Sequence, residues 1–241
     1  MRESKTLSEN PKIEMKIYAK GEYNKFNESE QWIRISEGCP NNCEYCRETK
    51  ECGKDPIYFP IPEIVRDKVK IMDMNLIYKP KALEILNDLG DRKVDGKVVF
   101  YELICGIDWR YLTSEIAEAL KRNRFKNIRL AWDYGFHFQM KIKDAIEKLK
   151  KAGYKAKEIS IFIICNWKIP YEECLRKLDL LKVWNVKVND CWFDNQLSPQ
   201  VKPIYWKEDQ IKDFRKKCRK HNQLVNFGID PELKNQKKLP L

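Results

Sequence analysis

The segment running from Trp32 to Glu48, WIRISEGCPNNCEYCRE, constrains this chain more than any other. Its three cysteines, Cys39, Cys43 and Cys46, stand in the spacing C-x3-C-x2-C and follow a β-rich run through a Glu37-Gly38 turn. Three thiols on one short loop at the end of a strand point to a shared metal group. A [4Fe–4S] cluster usually takes four cysteine ligands, so a loop that supplies three leaves one iron open to a substrate or cofactor. A tetrahedral zinc site needs a fourth ligand nearby. No paired C-x2-C or H-x3-H half-site occurs elsewhere, and Cys52 is the local candidate for that fourth position. The zinc alternative therefore stays open, as a zinc-stabilised, non-catalytic nucleic-acid-binding module.

Nine cysteines mean different things in different compartments. Residues 1–10 are polar and lack the apolar core of a signal peptide, and no run of about 18 apolar residues could span a membrane. The chain is accordingly read as cytoplasmic, where metal ligation or plain burial is expected ahead of disulfides. With 43% hydrophobic and 12% aromatic residues, 241 residues can bury a sizeable core. The net charge of +11 is unevenly placed: residues 1–30 balance six bases against six acids, while residues 196–241 carry eleven bases against five acids.

From Gln31 onward, short β-rich runs alternate with amphipathic stretches, the pattern of an α/β protein with a parallel sheet. Strands are expected at 32–36, 69–74, 98–103, 128–133, 159–165 and 186–192. Helices are expected at 81–89, 113–123, 140–152 and 170–184, with a short one at 62–67 and a last amphipathic one at 208–221. Thr113 is a natural N-cap, and Gly153 follows a helix whose last turn is basic. Six strands joined by right-handed crossovers make a partial (β/α)6, TIM-like barrel with its chemistry at the strands' C-terminal ends. The barrel would occupy residues 31–195, between an N-terminal extension (1–30) and a basic C-terminal extension (196–241).

The cysteine loop, with Tyr45 just before its last cysteine, resembles the hallmark C-x3-C-x-aromatic-C loop of the radical S-adenosylmethionine superfamily. The resemblance implies a [4Fe–4S] cluster on Cys39, Cys43 and Cys46 whose open iron binds S-adenosylmethionine through its amino and carboxylate groups. It further implies reductive cleavage to a 5′-deoxyadenosyl radical, hydrogen abstraction from a substrate, and an electron donor such as a flavodoxin or ferredoxin. The stretch VKIMDMNLIY, Val69 to Tyr78, is similar to the second-strand ending of members with a D-x-N motif, which would place Asp73 and Asn75 near the methionine ammonium. By the same resemblance Tyr45 lies against the cofactor, and Asp133, closing the run Ile128-Arg-Leu-Ala-Trp-Asp133, falls where relatives place a ribose contact. The Trp132-Asp-Tyr-Gly135 ending departs from those relatives.

Other residues admit plainer readings. Cys105, Cys165, Cys174, Cys191 and Cys218 are read as small buried hydrophobes. The run from Trp132 to Phe138, which includes His137, could line a substrate pocket, and Asp108, Arg110, Asp190 and Asp194 lie near strand ends. The basic run Phe214-Arg-Lys-Lys-Cys-Arg-Lys-His221 fits a phosphate-binding face, but also a helix whose acids start it and whose bases finish it. The substrate class, nucleic acid or nucleotide against peptide or small metabolite, is left open.

Overall fold

The computed structural model describes residues 21–193 and 204–228. The chain begins with β1 (Tyr23–Phe26), β2 (Gln31–Arg34), the two-residue β3 (Ser36–Glu37), helix α1 (Glu48–Cys52), β4 (Ile57–Tyr58) and β5 (Lys68–Ile71). There follow α2 (Ala82–Asp91), the ribbon strands β6 (Lys93–Val94) and β7 (Lys97–Val98), β8 (Phe100–Leu103), α3 (Ser114–Arg122) and β9 (Ile128–Ala131). Last come α4 (Gln139–Lys151), β10 (Ile159–Cys165), α5 (Tyr171–Trp184), β11 (Lys187–Trp192) and α6 (Glu208–Phe227).

The six long-range strands pair in parallel as β2-β5-β8 and β9-β10-β11, with β1 added antiparallel to β2. The two sheets meet where the chain just past β8 bridges to β9, Ile107 opposite Leu130, with the Ile107 N–H 2.7 Å from the Arg129 carbonyl. Parallel strands covered by crossover helices should be apolar throughout. β10 obeys this: Ile159, Ile161, Ile163 and Cys165 are fully buried, and so are its neighbours' Leu130, Val186 and Val188. The helices present complementary stripes, such as Ile142, Ile146 and Leu149 of α4 and Leu178 and Leu181 of α5.

Thr113 does cap α3, its hydroxyl accepting the Ile116 N–H at 3.1 Å. The helix expected at 62–67 is absent; that segment has no regular structure and bends at 66–67 before β5. The Gln31 side chain holds the segment from β2, accepting from the Val65 N–H and donating to the Glu63 carbonyl, both at 2.9 Å. The first crossover is instead α1 and the β3–β4 ribbon. The N-terminal extension also contributes to the sheet through β1, and Asp194 lies outside the described residues.

α6 runs longer than its sequence pattern suggested and closes the far edge of the sheet. Its Asn222 side chain accepts from the Val188 N–H at 2.8 Å and donates to the Val188 carbonyl at 2.7 Å. His221 donates through Nε2 to the Val186 carbonyl at 2.6 Å. The free backbone groups of an edge strand are thereby covered. No helix among the described residues is long and apolar enough to cross a membrane.

Candidate functional site

A cavity of about 500 Å³ opens at the carboxyl ends of the parallel strands. Each parallel strand, or the loop leaving it, contributes to its wall: Cys39 to Cys46 after β3, Asn75 after β5, Cys105 to Arg110 after β8, Asp133 and Tyr134 after β9, Phe162 of β10 and Trp192 of β11. Ligands of α/β sheets collect at this end because every crossover loop returns there.

The cysteine loop is anchored at both of its ends. Gly38 has φ +89°, and a Cβ there would run into the Asp55 carbonyl, so the turn into the loop needs glycine. The Gly38 N–H donates to Glu48 Oε1 at 3.0 Å, and Arg34 donates to both Glu48 oxygens at 2.7 and 2.9 Å. Glu48, the first residue of α1, therefore ties the strand before the loop to the helix after it. Thr49 Oγ1 adds bonds to the carbonyls of Cys39 at 3.0 Å and Asn41 at 2.5 Å. Burial pushes the Cys39 thiol up and the Cys46 thiol to about 12. Thiols so placed favour the neutral form until a cation binds them.

Cys39, Cys43, Cys46, Tyr45, Asn75 and Asp133 all line this one cavity. Asp73 does not. It is 1% exposed, and its carboxylate turns to the Ile35 N–H at 3.0 Å and to the Ser36 hydroxyl, fixing the end of the β2 segment beneath the loop. Burial raises its carboxyl above the ordinary carboxylate range. Asp73 is thus engaged beneath the cavity wall, which Met74 and Asn75 line. Asn75 adopts a left-handed conformation, φ 48°, which aims its amide at Cys39 Sγ, 3.9 Å away. Its Oδ1 is buried without a hydrogen-bond partner. A buried amide oxygen left unpaired costs free energy, and inside a cavity it marks where a ligand's N–H or O–H belongs.

Asp133 accepts from the Tyr45 hydroxyl at 2.5 Å, joining the cysteine loop to the fourth parallel strand. Burial is the main cause that raises both groups above their ordinary values. Asp108, Arg110 and Tyr134, all expected near strand ends or a pocket, do reach the cavity wall, whereas Asn41 on that wall and Lys177 behind it carry no sequence signal. Asn41 donates to Asp108 Oδ2 at 2.7 Å, and Arg110 forks onto the same carboxylate at 2.6 to 3.1 Å. Tyr134 places its hydroxyl 3.0 Å from Cys43 Sγ. Lys177, buried on α5, donates to the carbonyls of Trp132 at 3.1 Å and Tyr134 at 2.6 Å. His137 is exposed and lies off the cavity wall. Asp190 faces Trp192 and Arg215 at the rim. Cys105 and Cys191 line the cavity, whereas Cys165, Cys174 and Cys218 pack in the core and Cys52 is buried beside Arg34.

Zinc would require ligands converging on one point. Among the described residues no group of three or more His, Cys, Asp or Glu side chains stands close enough together to hold a metal ion, the three loop thiols included. Cys39, Cys43 and Cys46 share the wall of one cavity.

A six-stranded parallel α/β fold with a cysteine loop at its ligand-binding end defines a class, and comparison with solved structures identifies it: the chain has the fold of radical S-adenosylmethionine enzymes. It superimposes on the radical S-adenosylmethionine methyltransferase TsrM from Kitasatospora setae, solved with cobalamin and a [4Fe–4S] cluster bound, at TM-score 0.55 and 11% identity, covering 67% of this chain and 36% of that one. Coproporphyrinogen III oxidase (HemN) from Escherichia coli, a radical SAM enzyme, gives TM-score 0.52 and 11% identity over 78% of this chain and 50% of that one. HydG, a maturase of the [FeFe]-hydrogenase, gives TM-score 0.55 and 14% identity over 80% and 49%. The chain thus spans half or less of the length of these structures. No family model and no curated protein matches it.

Proposed function

We propose that this protein is a radical S-adenosylmethionine enzyme that holds one [4Fe–4S] cluster on Cys39, Cys43 and Cys46. The observation that carries the reading is the cavity wall itself: three loop thiols beside the unpartnered Oδ1 of Asn75, at the carboxyl ends of the parallel strands. Three soft sulfur donors suit an iron–sulfur cluster and leave one iron for a further ligand. A cavity of about 500 Å³ also lies in the range of small-molecule sites. When bound, the cluster and S-adenosylmethionine together supply a 5′-deoxyadenosyl radical for hydrogen abstraction.

The chain's own residues bind, orient and shield. Asn75 offers its free carbonyl oxygen to the cofactor's ammonium, and Asp73 acts from behind by fixing the strand end below the loop. Tyr45, held by Asp133, keeps the last turn of the cysteine loop against the cavity. The apolar wall of Ile104, Phe162, Ile164 and Phe193 limits water at the reacting centre. The two sheets are read as one curved wall, a partial (β/α)6 barrel over residues 31–195, which the Ile107–Leu130 bridge supports. The electron would come from a low-potential donor of the flavodoxin or ferredoxin class.

The test is anaerobic reconstitution followed by reduction. The protein should hold about four irons and, with dithionite and S-adenosylmethionine, release 5′-deoxyadenosine and methionine in equal amounts. Alanine at Cys39, Cys43 or Cys46 should abolish both; alanine at Cys52 should not. Stoichiometric zinc with little iron, or a full cluster that yields no 5′-deoxyadenosine, would refute the proposal.

A further inference from the structure

Resting on that reading, we propose that Tyr134 sets the reduction potential of the site by donating a hydrogen bond from its hydroxyl to the sulfur of Cys43. The contact is 3.0 Å, well within reach for a sulfur acceptor. It is also more intimate than the 3.9 Å approach of the Asn75 amide to Cys39.

The hydroxyl is not left to wander, although Tyr134 is 37% exposed. Its backbone carbonyl is held by Lys177 Nζ at 2.6 Å, and the same ammonium holds the Trp132 carbonyl at 3.1 Å. Lys177 is fully buried, so these carbonyls provide the solvation its charge needs, and the loop cannot shift without stripping it. The Tyr134 ring meets Trp167 edge-on at 6.3 Å, and Trp167 meets Tyr45 of the cysteine loop at 5.0 Å. Tyr134 is thus pinned by α5 on one side and by the cysteine loop on the other.

Hydrogen bonds to ligating sulfurs are among the protein's means of tuning an iron–sulfur potential. On one-electron reduction the cluster gains a negative charge that is shared with its sulfurs. A donor at the Cys43 sulfur stabilises that added charge, so it favours the reduced form and raises the potential. This helps a cluster that must accept its electron before any chemistry begins. Tyr134 acts through Cys43 and is a positioning and tuning residue, not a catalytic one.

The decisive variant is Tyr134→Phe, which removes the hydroxyl and keeps the ring. Wild type and variant would be reconstituted anaerobically, assayed for iron, and titrated with dithionite as the one-electron donor while the reduced cluster is followed by electron paramagnetic resonance. Equal iron is expected in both. At a fixed ambient potential the ratio of reduced to oxidised cluster should fall roughly tenfold in the variant, equivalent to a midpoint about 59 mV more negative for a one-electron couple. An unchanged or more positive midpoint with full iron overturns the tuning role and leaves the cluster assignment standing. Loss of iron in the variant alone also overturns it, since the hydroxyl would then serve assembly. If neither protein holds iron, the cluster assignment falls and the tuning role falls with it.

Discussion

Replacing Glu48 by alanine should destabilise the protein by about 3 kcal/mol, the lower end of the range for breaking a buried ion pair. Both partners are out of water, with side-chain exposures of 1% for Arg34 and 0% for Glu48. Removing the carboxylate leaves the guanidinium buried and takes the acceptor from Gly38 N–H as well. The Glu37 carboxylate, 3.9 Å from the guanidinium, compensates part of the loss, which is why the lower end applies. For a chain of this size about 3 kcal/mol corresponds to roughly 6–12 °C in Tm. The assay is urea unfolding of metal-free protein followed by far-ultraviolet circular dichroism. A second arm separates breaking the pair from replacing it: Arg34→Met with Glu48→Leu puts apolar volume where the charges were and should cost clearly less than the single change, the unpaired Gly38 N–H being what remains. A single variant that loses less than about 1 kcal/mol, or a double variant as unstable as the single one, refutes the reasoning.

Two further outcomes follow from α6. Burial holds the His221 imidazole below its ordinary value of 6.5, so the unfolded chain takes up this proton at a higher pH than the folded one. Its contribution to stability is complete above about pH 6.5 and is lost as the pH falls below that. His221→Gln should flatten the unfolding free energy across this acid window, and an unchanged pH profile would count against the assignment. The outer face of α6 carries Lys216 and Arg219, both exposed, while Lys212, Lys217 and Arg215 are engaged by Glu208, Asp213 and Asp190. Should the helix contact nucleic acid, log K against log salt should fall by roughly 0.7 to 0.9 per phosphate contact. Lys216→Gln with Arg219→Gln should then reduce that slope; no binding at low salt by the natural protein leaves α6 as a solvated cover for the sheet edge.

All six parallel strands were legible because each lies in a short run of apolar, β-branched or aromatic residues, and β10 matches its expected limits to the residue. The helices were legible for the complementary reason: apolar stripes at helical spacing, with Thr113 marking one start. The failures have local causes. A short helix is expected at 62–67, but the Gln31 side chain of β2 binds the Glu63 carbonyl and the Val65 N–H at long range. β1 looked like part of a polar extension because its outward residues are exposed; what makes it a strand is pairing with β2, which no local pattern encodes.

The site divides along the same line. Cysteines separated by three and two intervening residues on one loop can be read directly, because sequence proximity forces spatial proximity. Asp73 and Asn75 differ by a subtler feature, namely which way each points. The resemblance to members with a D-x-N motif implies that both serve one ligand, as i and i+2 of an extended chain would by sharing a face. The strand ends at Ile71, however, and Asn75 takes a left-handed turn. Asp73 is left on the buried side and Asn75 on the cavity side. The contacts that position the loop are less accessible still. Tyr134 stands 91 residues from Cys43, Asp133 stands 88 from Tyr45, and Lys177 stands 43 from Tyr134. Each is an ordinary residue type at an ordinary place, a tyrosine in a loop or a lysine on a helix. Only the parallel order of the strands brings β9, α5 and the cysteine loop to one rim. The thiols alone name a class of metal group; the partners that hold and tune them are properties of the fold.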